Sequence, residues 1–215
     1  MLDFPRPFGA ALVHIEDTHP VPPGYARNAE FKSPRRRMEF LAGRRAAGRA
    51  LARAGAPQVT VPKGPGGAPV WPEGWSGSIS HDRGRAVAVV TTADHHVGID
   101  LEDLTRLSRA RAVSRLCLSE AERVLFPDPR AALCAFSAKE AVFKAMAPAA
   151  ASRFWLSAIR FHAREDNRIF WHIPQLEQTG QVHVFQTARQ VLSVCRIPAR
   201  HRLTGTGCGP AGPSP

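Results

Sequence analysis

Two apolar runs, "RAVAVVTT" (85–92) and "VGIDLE" (97–102), stand on either side of the polar stretch "ADHH". Runs of that length bounded by turn residues read as strands. "SISH" (78–81) precedes them, with "DRG" as the intervening turn, so residues 78–102 read as three successive strands. Further upstream, "ALVHIED" (11–17) reads as a strand running into the turn-rich "THPVPPGYARN". The period becomes helical over 34–54, where Phe40, Leu41, Ala47 and Leu51 share a face, Pro34 stands at the start and Gly55 supplies a stop. "PKGPGGAPVWPEGWSG" (62–77) is a loop. Residues 106–147 are helix-rich. Ser119 and Glu122 have capping-box spacing, and 130–147 is a long helix with an apolar stripe. "LSAIRFHA", "RIFWHI", "VHVFQTA" and "QVLSVCRIP", beyond 156, predict a small antiparallel sheet, and the Gly/Pro-rich end from Thr204 a disordered tail.

Strand, long helix and hairpin-like strands thus occur twice. The predicted fold class is α+β, a pseudo-dimer of two similar α+β lobes in one chain. Residues 1–95 form the first lobe, 96–203 the second and 204–215 the tail. With 215 residues, 44% of them hydrophobic, the chain can fill one sizeable core or two small ones. No run reaches the roughly 18–20 apolar residues of a membrane span. The N-terminus has an acid at position 3 and a proline at 5, unlike a signal peptide. Four scattered cysteines without C-x-x-C spacing predict a reduced, cytoplasmic protein.

Charge adds a partner to this picture. A net +11, clustered in "KSPRRRMEFLAGRRAAGR" (32–49), fits an acidic partner (nucleic acid, phosphorylated ligands, an acidic protein or an anionic membrane) and equally a merely solvated basic face. Aromatics are 7% of the chain and are not interleaved with the basic run, which argues against a base-stacking surface.

The chemistry begins at Asp100 and Glu102. In a strand they point the same way, about 6–7 Å apart, and repel each other unless a metal, an Arg or a Lys lies between them. Downstream, "FSAKEAVFKA" (136–145) places Glu140 and Lys144 on one helical face, with Lys139 adjoining. Glu-x-x-x-Lys is common on solvated helices. Here, however, it borders the apolar stripe of Phe136, Val142, Phe143 and Met146. If Glu140 reaches the two strand acids, three carboxylates form an all-oxygen site suited to Mg²⁺, with Lys144 one turn away for phosphate charge. In "GSISHDRG" (77–84), hydroxyls and an imidazole at a strand end can hydrogen-bond a phosphate monoester, although a histidine merely satisfied at a turn is the simpler reading of that stretch alone. No Gly-x-Ser-x-Gly elbow supports a serine hydrolase.

"GSISH", "VGIDLE" and "FSAKEAVFKA" in this order and spacing, with "RRMEFLAGR" and "PVWPEGWSGSISH" before them, resemble the 4′-phosphopantetheinyl transferases, in particular the bacterial members of the enterobactin synthetase component D type. The resemblance covers about residues 34–147. It implies transfer of the phosphopantetheine arm of coenzyme A to a serine of an apo carrier protein, with release of adenosine 3′,5′-bisphosphate, in siderophore, nonribosomal peptide or polyketide synthesis. It implies Asp100, Glu102 and Glu140 as ligands of Mg²⁺, with Mn²⁺ as the alternative ion. Lys144 matches the lysine on the pyrophosphate, with Lys139 beside it among the coenzyme A-binding residues. Ser80 and His81 match the pair near the 3′-phosphate, and Arg36 and Arg44 match basic residues around the nucleotide. Glu140 and Lys144 would act in catalysis, and Glu122 aligns with the acid that takes the serine proton, with Glu120 two residues away leaving that choice open. Two departures stand out. No basic residue is present near Gly67 or Ala68, where Lys63 or Arg83 would have to substitute, and Phe136 stands where many relatives have Trp. The implied partners are an acidic acyl, peptidyl or aryl carrier protein and coenzyme A, with no specific nucleic acid, for a monomeric enzyme. The competing readings are a basic nucleic-acid-binding module and an inactive relative that only docks on carrier proteins.

Overall fold

The computed structural model describes residues 8–14, 31, 33–150 and 154–199. The predicted tail from 204, and residues 15–17 of the first predicted strand, lie outside them.

In the first lobe, β1 (Phe8–His14), β2 (Trp75–Asp82) and β3 (Arg85–Thr92) form an antiparallel sheet in the order β1-β3-β2, covered by α1 (Pro34–Ala54). The helix begins where the Ser33 hydroxyl accepts the Arg36 N–H and Pro34 pre-sets the first turn. It ends at Gly55, whose φ of 83° is the left-handed conformation favourable to glycine. Ala46, Ala47, Ala50 and Leu51 of α1 pack on Ala11, Ala88 and Val90.

The second lobe holds β4 (His95–Asp103), α2 (Leu107–Cys117), α3 (Glu120–Leu125), α4 (Pro129–Ala150), β5 (Arg160–Glu165), β6 (Arg168–Ile173), β7 (Gln178–Gln186) and β8 (Gln190–Pro198). Its five strands run antiparallel in the order β4-β8-β7-β6-β5. The third strand of the expected series therefore leaves its neighbours: β4 pairs with β8, almost a hundred residues on, and joins the sheet expected only beyond 156. Helix α4 covers that sheet with Ala138, Val142 and Met146 against Ile169, Trp171 and Ile173.

One contact recurs in both lobes. A Cβ on Gly9 of β1 would lie 2.0 Å from the Ala50 carbonyl oxygen of α1, and one on Gly98 of β4 would lie 1.9 Å from that of Ala141 in α4. In each lobe the main helix rests directly on strand backbone, and only glycine permits it.

The lobes meet along β4. Alternation turns Val97, Ile99 and Leu101 towards Val87 and Val89 of the first sheet. At the same strand, the N–H groups of Ile99 and Leu101 donate to the hydroxyls of Ser78 (3.1 Å) and Ser80 (3.2 Å) on β2. Two donors and two acceptors, each pair two residues apart, match because both strands have period 2. Among the described residues no helix is long and apolar enough to cross a membrane.

Candidate active site

Gly98, Asp100 and Glu102 share the face of β4 that looks at α4. With the glycine in backbone contact, the next two side chains on that face are carried along the helix. Lys144 Nζ lies 2.7 Å from Asp100 Oδ1 and 3.1 Å from the Ile99 carbonyl oxygen. The Ser137 hydroxyl donates to the Asp100 carbonyl at 3.5 Å. From the other lobe, the Ser80 hydroxyl donates to Asp100 Oδ1 at 3.0 Å. Asp100 thus stands at the junction of β2, β4 and α4.

Glu102 has its own cation. Arg109 Nη1 of α2 is 2.8 Å from Glu102 Oε1, and Arg106 Nη1 is 4.0 Å from the same oxygen and 3.4 Å from Asp82 Oδ1. Burial nevertheless dominates: it pushes the Glu102 carboxyl up to about 7 against the pull of Arg109, and Asp82 and Asp100 add repulsion. The Glu140 carboxyl is raised as well, by burial first; Lys144 and Arg109 oppose the rise and Asp100 adds to it. The repulsion expected between the strand acids is therefore relieved by a lysine and an arginine, one for each acid.

Above these acids the lobes enclose a cleft of about 470 Å³, lined from the first lobe by Arg35, Arg36, Glu39, His81, Asp82 and Arg83 and from the second by Asp100, Glu102, Arg106 and Arg109. Glu39 is buried on α1, with Arg35 Nε 2.8 Å and Arg36 Nη1 3.4 Å away. Its burial favours the neutral acid, yet the Arg35 hydrogen bond and the charges of His81 and the arginines bring its pKa below the ordinary value. The His81 pKa is lowered, foremost by desolvation, with Arg36 and Lys144 adding to the effect. A second hollow, sharing Arg36, Glu39 and His81, is lined by Phe31, Phe40, Arg44, Lys63, Gly67 and Pro69. Arg44 is buried there with its guanidinium 4.5 Å from the Phe40 ring centroid. Lys63 pairs with Pro69 in a β-bridge, which carries its side chain to the place beside Gly67 where no basic residue exists in the sequence. Arg83 instead pairs with Asp103 at 3.3 Å.

Three of the expected site features lie otherwise than their motifs suggest. Lys139 is fully buried and does not reach the cleft: its Nζ lies 2.8 Å from Glu122 Oε1, and it donates to the carbonyls of Cys117 and Ile159 at 2.6 and 2.7 Å. Each helical step turns a side chain by about 100°, so residues 139 and 140 leave α4 in different directions. Glu122 is also fully buried. Beyond Lys139, its oxygens accept the N–H groups of Ser119 (2.7 Å) and Phe161 (2.9 Å), closing the capping box and tying α3 to β5. Among the described residues its oxygens face these partners and do not line the cleft. Finally, strand alternation sends Ser80 to Asp100 and His81 to the cleft, so the two side chains point different ways.

Asp82, Glu39, Arg106 and Arg109 were not singled out by the sequence reading. The positions of Arg106 and Arg109, four and seven residues after Glu102 at the start of a helix, were the available signal. Among the described residues no three His, Cys, Asp or Glu side chains are grouped as a metal site. The donor set still suits a hard cation: the acids are oxygen-only, and burial and mutual repulsion raise two of their pKa values, a cost that a divalent charge would remove.

Residues 26–91 match the 4′-phosphopantetheinyl transferase N-terminal domain, and residues 96–195 match the 4′-phosphopantetheinyl transferase superfamily. The chain is 36% identical over 157 residues to enterobactin synthase component D of Salmonella typhimurium, covering 66% of this chain and 65% of that one. It is 34% identical over 154 residues to the Escherichia coli K12 protein of the same name, covering 65% and 72%. To the 4′-phosphopantetheinyl transferase Npt of Nocardia iowensis it is 37% identical over 132 residues, covering 60% and 59%. The chain thus spans just under two thirds of the length of the Salmonella relative.

Proposed function

Because the chain belongs to the 4′-phosphopantetheinyl transferase superfamily, we propose that it transfers the 4′-phosphopantetheine arm of coenzyme A to a serine of an apo carrier protein and releases adenosine 3′,5′-bisphosphate. The observation that carries this reading is that Asp100, paired with Lys144, and Glu102 line a cleft that is also lined with arginines.

Attack of a hydroxyl on a diphosphate needs charge neutralised on the phosphate oxygens, the leaving nucleotide held, and the hydroxyl proton removed. Asp100, Glu102 and Glu140 would hold Mg²⁺, or Mn²⁺, which supplies charge neutralisation when bound. Lys144 supplies a further positive charge beside them. Arg36, Arg44, Lys63 and His81 surround the two hollows and hold the phosphate and sugar of the nucleotide. Arg44 lies over the Phe40 ring and offers its guanidinium to this hollow. With Glu122 enclosed, Glu140 is the carboxylate of the set assigned to the serine proton, with Glu120 as the alternative. One chain supplies both walls of the cleft, so a monomer suffices. The carrier is an acidic acyl, peptidyl or aryl carrier protein of siderophore, nonribosomal peptide or polyketide synthesis, attracted by the net charge of +11.

The test is mass spectrometry of apo carrier proteins incubated with the chain, coenzyme A and Mg²⁺. A gain of one phosphopantetheine unit, absent with EDTA, is expected. No gain on any carrier, combined with tight duplex DNA binding at physiological salt, would transfer the case to the nucleic-acid reading. Carrier binding without any gain would support the inactive docking relative.

A further inference from the structure

Helix α2 begins close to the end of β4, so its first turn lies over the strand that it has just left. Arg106 at its cap and Arg109 three residues on face back towards Glu102. Arg109 is the direct partner, at 2.8 Å, and its guanidinium lies 5.7 Å from the ring centroid of Phe136 on α4. Arg106 spans from Glu102 to Asp82, and so from one lobe to the other. Both line the cleft, with side chains 33% and 39% exposed, so a ligand in the cleft can meet them.

We propose that Arg109, assisted by Arg106, is the counter-ion that a divalent metal displaces from Glu102, and that the displaced guanidinium then binds the diphosphate of the substrate. The proposal rests on the reading of Asp100, Glu102 and Glu140 as metal ligands. A Mg²⁺ ligand oxygen sits about 2.0–2.1 Å from the ion. At that distance the cation takes over the charge that the guanidinium compensates, and the two positive groups repel each other. Phosphate oxygens offer the freed arginine a matching acceptor, because its planar fork bonds two of them at once. Lys144 is anchored by the Ile99 carbonyl as well as by Asp100 and stays in place. Arg109, resting on an aromatic face and reaching in from the cleft wall, can turn from carboxylate to phosphate without unfolding α2.

Metal and coenzyme A then assist each other. Metal alone must break an ion pair, whereas with coenzyme A present the released arginine regains a partner, and the coupling is reciprocal. Calorimetric titration of the whole chain tests this, with Arg109→Gln set beside Arg115→Gln, which removes the same charge from α2 outside the cleft. Without coenzyme A, R109Q should bind Mg²⁺ several-fold more tightly than wild type and R115Q as wild type does. With saturating Mg²⁺, R109Q should bind coenzyme A roughly ten-fold more weakly or worse, as the loss of one charge-assisted hydrogen bond requires, and R115Q unchanged. R109Q matching R115Q in either titration overturns the proposal and leaves the metal reading standing. Wild-type Mg²⁺ affinity retained in Asp100→Asn overturns the metal reading, and this proposal with it.

Discussion

Lys139 and Glu122 illustrate how little a residue's type reveals of its task. Both belong to motifs that carry chemistry, and both are spent on holding α3, α4 and β5 together. Removing one member of a fully buried pair leaves the other charged and alone, which costs about 3–5 kcal/mol. Lys139→Met should therefore lower the unfolding free energy in urea by that amount, yet leave coenzyme A affinity unchanged at a temperature where the variant is folded. Glu102 behaves in the opposite way. Its folded pKa of about 7 lies above the ordinary carboxylate value, so the fold favours the protonated acid. Its stabilising contribution is complete below the unfolded pKa and is lost as pH rises towards 7. In EDTA, Glu102→Gln should gain stability on wild type across that window, approaching about 3 kcal/mol, and the difference should be constant above it. Denaturant melts at pH 5, 6, 7 and 8 measure this. A difference independent of pH would mean that Arg109 fully compensates the acid.

Among the elements, those governed by local rules were legible in the chain. Helix α1 runs from Pro34 to Ala54 between its serine cap and Gly55, and Ser119 and Glu122 form the expected capping box. The alternation of "VGIDLE" correctly puts Asp100 and Glu102 on one face. What local rules could not supply were partners distant in sequence. The β4–β8 pairing, the enclosure of Lys139 by groups 17 or more residues away, and the separate destinations of Ser80 and His81 depend on how remote segments pack. The glycine of "VGIDLE" shows the same limit: nothing in its neighbours along the chain explains it, and its reason is the α4 backbone against it. Gly98→Ala forces its methyl group to within 1.9 Å of the Ala141 oxygen, so strand and helix must separate. The expected result is a loss of several degrees in Tm and of Mg²⁺ binding together, read by calorimetry. Intact Mg²⁺ affinity would show that the acids keep their positions without this contact.

For the molecule as a whole, charge acts at a range that single contacts do not reach. A net +11 would attract the acidic carrier protein proposed as its partner over about 8–10 Å at physiological ionic strength, and salt would screen that attraction. Raising salt should increase the KM for the carrier much more than that for coenzyme A, with kcat nearly constant; a flat carrier KM would remove the basic surface from docking.

The serine hydroxyls of β2 have an effect on the same scale. Strand β4 is the outer strand of its sheet, and an outer strand with open N–H groups invites pairing with a foreign chain. Ser78 and Ser80 occupy two of those donors from within the same polypeptide. A second lobe produced without the first would present them bare, next to a strip of valine, isoleucine and leucine that has lost its cover. Aggregation through β4 is then the failure to expect of any truncation that begins near residue 95. Keeping the two halves in one chain protects solubility as directly as it builds the cleft.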